Sequence, residues 1–339
     1  MRKVVIISCL CTLATTGLYA VLYTQYAAKK PPPDLSNITV HLAIKRLEKV
    51  LFGLDDKEKI RAFLKENTLF STQFLGLTSR RDEDALVERL YAMVHDENIQ
   101  ALYREVQRVF EYFSAIQQQL EGAFRYLRYY YPDFKIPQVV TFITGMGTDL
   151  HLSEDLIVVG LDFFMGEGAK FRPIELPEYL LTTYQAAYIV PKIILLLSQK
   201  FIETNDADQT LLADMLYYGK AYYFTQTILP KVDASVILAY TEEQLAAVES
   251  HQDIVWEHFI DQELLYVTNH LTKNKYLNDR PCTSEIGQRC PGNIGRWLGW
   301  EIVKSYMEKH TEVDLPALMC NADKQTLFAQ SGYRPRKRK

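Results

Sequence analysis

At 339 residues, with 48% hydrophobic and 12% aromatic content, the chain can bury a large core as one big domain or two small ones, which excludes a disordered polymer. Its formal net charge of −4 gives no electrostatic basis for a nucleic-acid partner. The basic run Arg334-Pro-Arg-Lys-Arg-Lys339 is short and reads as a solvated tail.

Arg2 and Lys3 precede an uncharged stretch reaching Gln25. Within it, Val4 to Tyr23 offers about twenty mostly apolar residues, enough to cross a bilayer as a helix. Two membrane readings stand side by side. Ile6-Ile7-Ser8-Cys9 fits a bacterial lipobox, which would make Cys9 the acylated first residue of the mature chain. Against it, the apolar run before Ser8 is shorter than the core of about 7 to 15 residues in a signal peptide, and the residues after Cys9 stay apolar, as in an uncleaved anchor. Either reading places the folded body outside the cytoplasm. Lys29-Lys-Pro-Pro-Pro-Asp34 has the composition of a tether. The chain therefore divides into an anchor (residues 1–28), a tether (29–36) and a single domain (37–339).

After the tether the pattern is mainly helical. Asp55-Asp-Lys-Glu58 is a capping-box variant opening a helix through Leu64, and a second helix spans Asp82 to His95 with Leu86, Leu90 and Met93 as its apolar side. Apolar residues in steps of three and four predict one long helix from Ile99 to Tyr131, stopped by Pro132. Gln138 to Thr144 and Asp155 to Phe164 are β-branched and apolar, with a Gly145-Met-Gly147 turn signal between them. They read as two neighbouring strands.

Helices resume near Pro177, a residue suited to the first helical position. Tyr179 to Ile189 and Lys192 to Phe201 should be broken or kinked apart by Pro191. A helix over Asp208 to Leu229 follows, and Thr241-Glu-Glu-Gln244 is a capping box that opens further helices through Leu271.

Cys282 and Cys290 bracket a short polar loop, and in an oxidising compartment they can pair, which would stabilise by roughly 2 to 3 kcal/mol and leave Cys320 free. No Cys-x-x-Cys pair is present to start a zinc site. Beyond this loop, Pro291 to Met307 is the least generic stretch. Gly292, Gly295 and Gly299 fall at intervals of three and four, flanked by Trp297 and Trp300. A glycine costs roughly 1 kcal/mol against alanine in a helix, so the stripe implies close backbone packing in a central, buried helix, or a binding groove beside the tryptophans.

Reactive constellations are sparse. The seven histidines include no pair four apart, so a His-Glu-x-x-His helix is absent, as are Gly-x-Ser-x-Gly, a phosphate-binding loop and a dinucleotide fingerprint. Asp149, Glu154, Asp155 and Asp162 surround the strands, where turn-forming roles compete with acid–base work. No catalytic residue, metal ligand or cofactor-binding residue is assigned. A hydrolase is the enzymatic alternative, and it would need these acids to meet His151 or His258 in one cleft.

Five separated motifs carry a resemblance. They are the glycine–tryptophan stretch, Ile157-Val-Val-Gly-Leu-Asp-Phe-Phe164, Leu216-Tyr-Tyr-Gly-Lys220, Tyr240-Thr-Glu-Glu-Gln-Leu245 and Ser331-Gly-Tyr-Arg-Pro335. In order, over roughly residues 100–335, they resemble the gliding motility lipoprotein GldB family. The resemblance implies a membrane-anchored, non-enzymatic lipoprotein of the Bacteroidetes-type cell envelope, acylated at Cys9. Its implied partners are the membrane and other proteins of gliding motility and a type IX-type secretion apparatus, with no nucleic acid and no small-molecule cofactor.

More faintly, the order of elements is similar to that of zinc-dependent peptidases. Leu180 to Tyr188 occupies the first ligand slot and Tyr218-Gly219 the second, and neither contains a metal ligand. The expected fold is therefore mostly α with a small β-sheet, α+β, a zincin-like helical domain lacking the metal-binding motif. The two other readings of function are the hydrolase and a peptide- or carbohydrate-binding module.

Overall fold

The computed structural model describes residues 33–174 and 176–335. The anchor and Cys9 lie outside the described residues. In chain order the elements are β1 (Ile44–Arg46), α1 (Leu47–Leu51), α2 (Lys57–Glu66), α3 (Thr68–Gln73), α4 (Arg80–His95), α5 (Glu97–Val109) and α6 (Ser114–Tyr130). Next come β2 (Gln138–Phe142), β3 (Leu150–Leu152) and β4 (Leu156–Gly160), then α7 (Glu178–Leu181), α8 (Ala186–Ser198) and α9 (Leu211–Ile228). The last part is helical: α10 (Ala234–Leu238), α11 (Glu242–Ser250), α12 (Gln252–Asp261), α13 (His270–Leu277), α14 (Ile294–Lys309), α15 (Leu315–Cys320) and α16 (Lys324–Ser331).

Among the described residues the four strands form one sheet in the order β1-β2-β4-β3. β1, β2 and β4 run parallel, with Lys45 opposite Val140 and Val140 opposite Val158, while β3 closes the edge antiparallel to β4. The two strands expected from sequence are thus neighbours. The sheet is covered on both faces, which explains its unbroken apolar runs. Val140, Phe142, Leu156 and Val158 meet α1 to α4 on one side, and Val139, Ile157 and Val159 meet α5, α6, α8 and α9 on the other. A third core lies away from the sheet, where α9 and α14 pack among the C-terminal helices.

Two expected elements differ. The long helix is divided into α5 and α6 by residues 110–113. No proline or glycine breaks it. Instead Phe110 turns into the core at 1% exposure, Arg46 donates to the Phe110 carbonyl at 3.1 Å, and the Arg46 guanidinium lies 4.8 Å from the Phe113 ring centre. Tertiary capping overrides a periodicity that runs through the break. Conversely, Pro191 sits inside the continuous helix α8. It withholds the one N–H that would bond to the Ala187 carbonyl, and the fully buried Ile189, Val190, Ile193 and Ile194 around it hold the helix in place. The region expected as helix ahead of it is short α7 followed by extended Gln185, which bridges to Met165.

The Thr241 box is as read, while the box expected from Asp55 to Glu58 gives way to a cap one residue later, at Asp56. Asp56 accepts from the Lys59 N–H at 2.8 Å, and Thr241 and Gln244 close a reciprocal capping box. Asp162, 1% exposed, accepts from the N–H groups of Thr144 and Met146 at 3.1 and 2.6 Å, shaping a turn in which Met146 has φ 62°. Burial pushes its carboxyl upward, and these hydrogen bonds oppose that.

The glycines of α14 are packing residues. A Cβ on Gly299 would lie 1.8 Å from the Met215 carbonyl oxygen, and one on Gly219 would lie 2.4 Å from that of Gly299, so α9 and α14 touch backbone to backbone. Trp297 and Trp300 are 0% and 3% exposed, inside the third core rather than beside an open groove. Gly299→Ala is expected to lower stability by about 3 kcal/mol or more, the upper range for overpacking. Gly122→Ala, in α6 with nothing within 4 Å of the added carbon, should raise it by up to about 1 kcal/mol. Denaturant titration of the two variants checks both signs.

Candidate functional site

A two-chambered concavity lies where α7 and α8, the turn between α10 and α11, and the loop between α13 and α14 come together. It has an outer chamber of about 400 Å³ walled by Tyr179, Tyr188, Thr241, Gln244 and Gly292, and an inner one of about 160 Å³ walled by Tyr184, Lys192, Tyr222 and Arg296. Asp279 and Asn293 border both chambers.

Its frame begins at the N-terminus of α14. Asn293 adopts φ 47°, a left-handed conformation that asparagine tolerates. Its backbone N–H donates to the Asn278 carbonyl at 3.1 Å, and its Nδ2 donates to Asp279 Oδ1 at 2.8 Å. Gly292 lies flat on the other side of the loop, where a Cβ would come within 2.1 Å of the Arg280 carbonyl. Tyr240 and Tyr179 donate their hydroxyls to the carbonyls of Gly292 and Asp279, each at 2.9 Å. These bonds fix the floor from two directions.

Arg296, three residues along α14, approaches Asp279 Oδ1 at 3.5 Å and covers the Tyr218 ring at 4.3 Å. Its Nε and the Oδ1 of Asn293 are buried and unpartnered. Across the inner chamber, Lys192 holds its ammonium 3.9 Å above the Tyr184 ring, a cation–π contact, while the Tyr184 hydroxyl donates to Asp149 at 2.9 Å. Burial lowers the Lys192 pKa, and the charges of Asp149 and Asp279 offset only part of that. Burial and Asp149 together push the Tyr184 hydroxyl upward. The cleft thus offers one half-buried ammonium among tyrosines and amides.

The family model for the gliding motility protein GldB matches residues 28–335. The chain belongs to the GldB family. No curated protein and no solved structure matches it. In this GldB family member, no helix among the described residues is long and apolar enough to cross a membrane.

Several residues singled out in the sequence occupy other places. Of the five glycine and tryptophan positions, Gly292 alone lines the cleft. Gly295 packs on Tyr276, and Gly299, Trp297 and Trp300 are core. Cys282 and Cys290 are both free thiols: Cys282 faces Gln288 Oε1 at 3.4 Å, and Cys290 is buried, with its pKa raised by burial to about 12. Of the acids around the strands, Asp149 reaches the cleft through Tyr184, Asp162 shapes a turn, and Glu154 and Asp155 are exposed. His151 packs on Phe74 and His258 bonds to the Tyr276 hydroxyl at 2.9 Å, so the groups a hydrolase needed sit on separate elements. Among the described residues no three His, Cys, Asp or Glu side chains converge to hold a metal.

Lys192 went unread. Its signal in the GldB sequence is a lone charge inside Ile189-Val-Pro-Lys-Ile-Ile-Leu-Leu-Leu197. A lysine with a folded pKa below its unfolded value of 10.5 destabilises the fold while charged, and that penalty fades as pH rises through the folded value towards 10.5. The stability difference between Lys192→Met and the parent should therefore be flat at low pH. It should then shift in the parent's favour under alkaline conditions below pH 10.5, read from urea titrations across pH.

Proposed function

We propose that this GldB protein is a non-enzymatic component of the gliding apparatus, held at the cell envelope by a lipid on Cys9, and that it works by receiving a partner in the cleft around Lys192. The observation that carries this reading is the union of a family match over residues 28–335 with a cleft that presents an unpaired ammonium. The segment Leu180 to Tyr188, the first ligand slot of the zincin-like reading, is not one helix: α7 ends at Leu181 and α8 begins at Ala186. Tyr218, in the second slot, carries the Arg296 guanidinium on its ring at 4.3 Å. The apparatus it serves includes the type IX-type secretion machinery.

Two variants test the proposal in a gliding host lacking the native gene. Cys9→Ala is expected to lose lipid labelling and leave the membrane fraction; retention in membranes without label favours an uncleaved anchor. Lys192→Gln is expected to remain folded and membrane-bound yet fail to restore colony spreading. Full spreading would remove the cleft from the function.

A further inference from the structure

We propose that the inner chamber is a carboxylate site that receives the C-terminal residue of a peptide chain, with Lys192 as its anchoring cation. The inference rests on the reading of the cleft as a binding site and assigns its ligand class.

The unmet groups define the ligand. Lys192 has its ammonium over a ring and no hydrogen-bond acceptor: the Asp149 carboxylate is engaged by the Tyr184 hydroxyl, and Asp279 Oδ1 by Asn293 and Arg296. Four wall hydroxyls are committed too, since Thr182 and Thr183 donate to the carbonyls of Tyr179 and Leu180 at 3.1 and 2.8 Å, and Tyr179 and Tyr240 to those of Asp279 and Gly292. What is missing is an acceptor for Lys192, an acceptor for Arg296 Nε and a donor for Asn293 Oδ1. Turning Asn293 Oδ1 and Arg296 Nε towards a ligand exchanges the present contacts of the same side chains with Asp279 Oδ1 for bonds to that ligand.

A terminal –NH–CHR–COO⁻ fragment supplies all three: its carboxylate oxygens accept from Lys192 and Arg296, and its amide N–H donates to Asn293. Charge-assisted bonds of this kind are the stronger class, and capture of a chain-end carboxylate is a known recognition mode. Dianionic phosphate fits worse, because Asp149 and Asp279 face the same space. Sugar hydroxyls would offer neutral acceptors to a desolvated ammonium, a poorer match. The two chambers also suit the fragment, the inner 160 Å³ for the terminal residue and the outer 400 Å³, with Tyr179, Tyr188 and Gln244, for the residues before it.

The test uses the full chain purified in detergent and two pools of N-acetylated tripeptides, identical except that one has free carboxylates and the other C-terminal amides. Ligand-observed NMR competition is expected to show the acid pool binding at least about tenfold more tightly than the amide pool, the minimum for a hydrogen bond to a charged group. Lys192→Gln should erase that difference while thermal melting shows an intact fold, and Lys192→Arg should keep part of it. Equal binding of the two pools, no binding of the acid pool, or tighter binding of an acidic disaccharide overturns the inference. Should Lys192→Gln abolish spreading while the acid pool fails to bind, the cleft keeps its function and the carboxylate assignment is lost.

Discussion

The contact between α9 and α14 is the constraint on which the rest of the molecule depends. Gly219 and Gly299 let the two backbones touch, and a methyl group on either would meet main-chain atoms, which cannot rotate away. Each glycine costs the helix about 1 kcal/mol in isolation, so the crossing persists because of what it brings together. Tyr218 and Tyr222 flank Gly219 on α9, and Arg296 lies three residues before Gly299 on α14. The close approach therefore lays the guanidinium on the Tyr218 ring at 4.3 Å and brings Tyr222 within 6.0 Å of Trp300, centre to centre. The back wall of the cleft is a direct product of the seam.

The opposite wall is built differently. α8 packs its apolar residues on the sheet-side core, and Lys192 is the position at which that helix turns a charge toward the cleft. Lys192 and Arg296 thus come from two cores that meet at α9, whose residues contribute to both. The Asp279–Asn293 loop then closes the space, held by hydrogen bonds from both of its ends and from tyrosines outside it. A site assembled in this way is held at its floor by these bonds and faced by two cationic side chains from different cores.

Sequence reasoning reached what is local or strongly periodic. The capping box at Thr241, the two central strands and the buried helix with its glycine seam all follow from residue type and spacing, and the family followed from five ordered motifs. It missed what depends on distant partners. The three-residue strands β1 and β3 carry no pattern of their own and exist because β2 and β4 offer them edges. The break between α5 and α6 depends on Arg46, which lies 64 residues earlier in the chain than the carbonyl it caps. Pro191 was overruled by the apolar packing around it. The cleft escaped notice for the same reason: Asp149, Lys192, Asp279 and Arg296 share no spacing, and only the tertiary fold gathers them. The tryptophans drew attention because they are rare and large, and those same properties place them in the core.

The path by which residues 35–42 enter the domain carries a mechanical consequence. Arg125 on α6 donates to the carbonyls of Leu35 and Ile38 at 2.6 and 2.9 Å, and Glu121 and Gln117 hold the N–H and C=O of Leu42 at 3.0 and 2.8 Å. A pull arriving from the N-terminal side of Leu35 is thus received by a helix rooted in the main core before it reaches β1. The load is met by successive clasps along α6, so traction on this segment is passed into the body of the protein without first peeling a strand from the sheet.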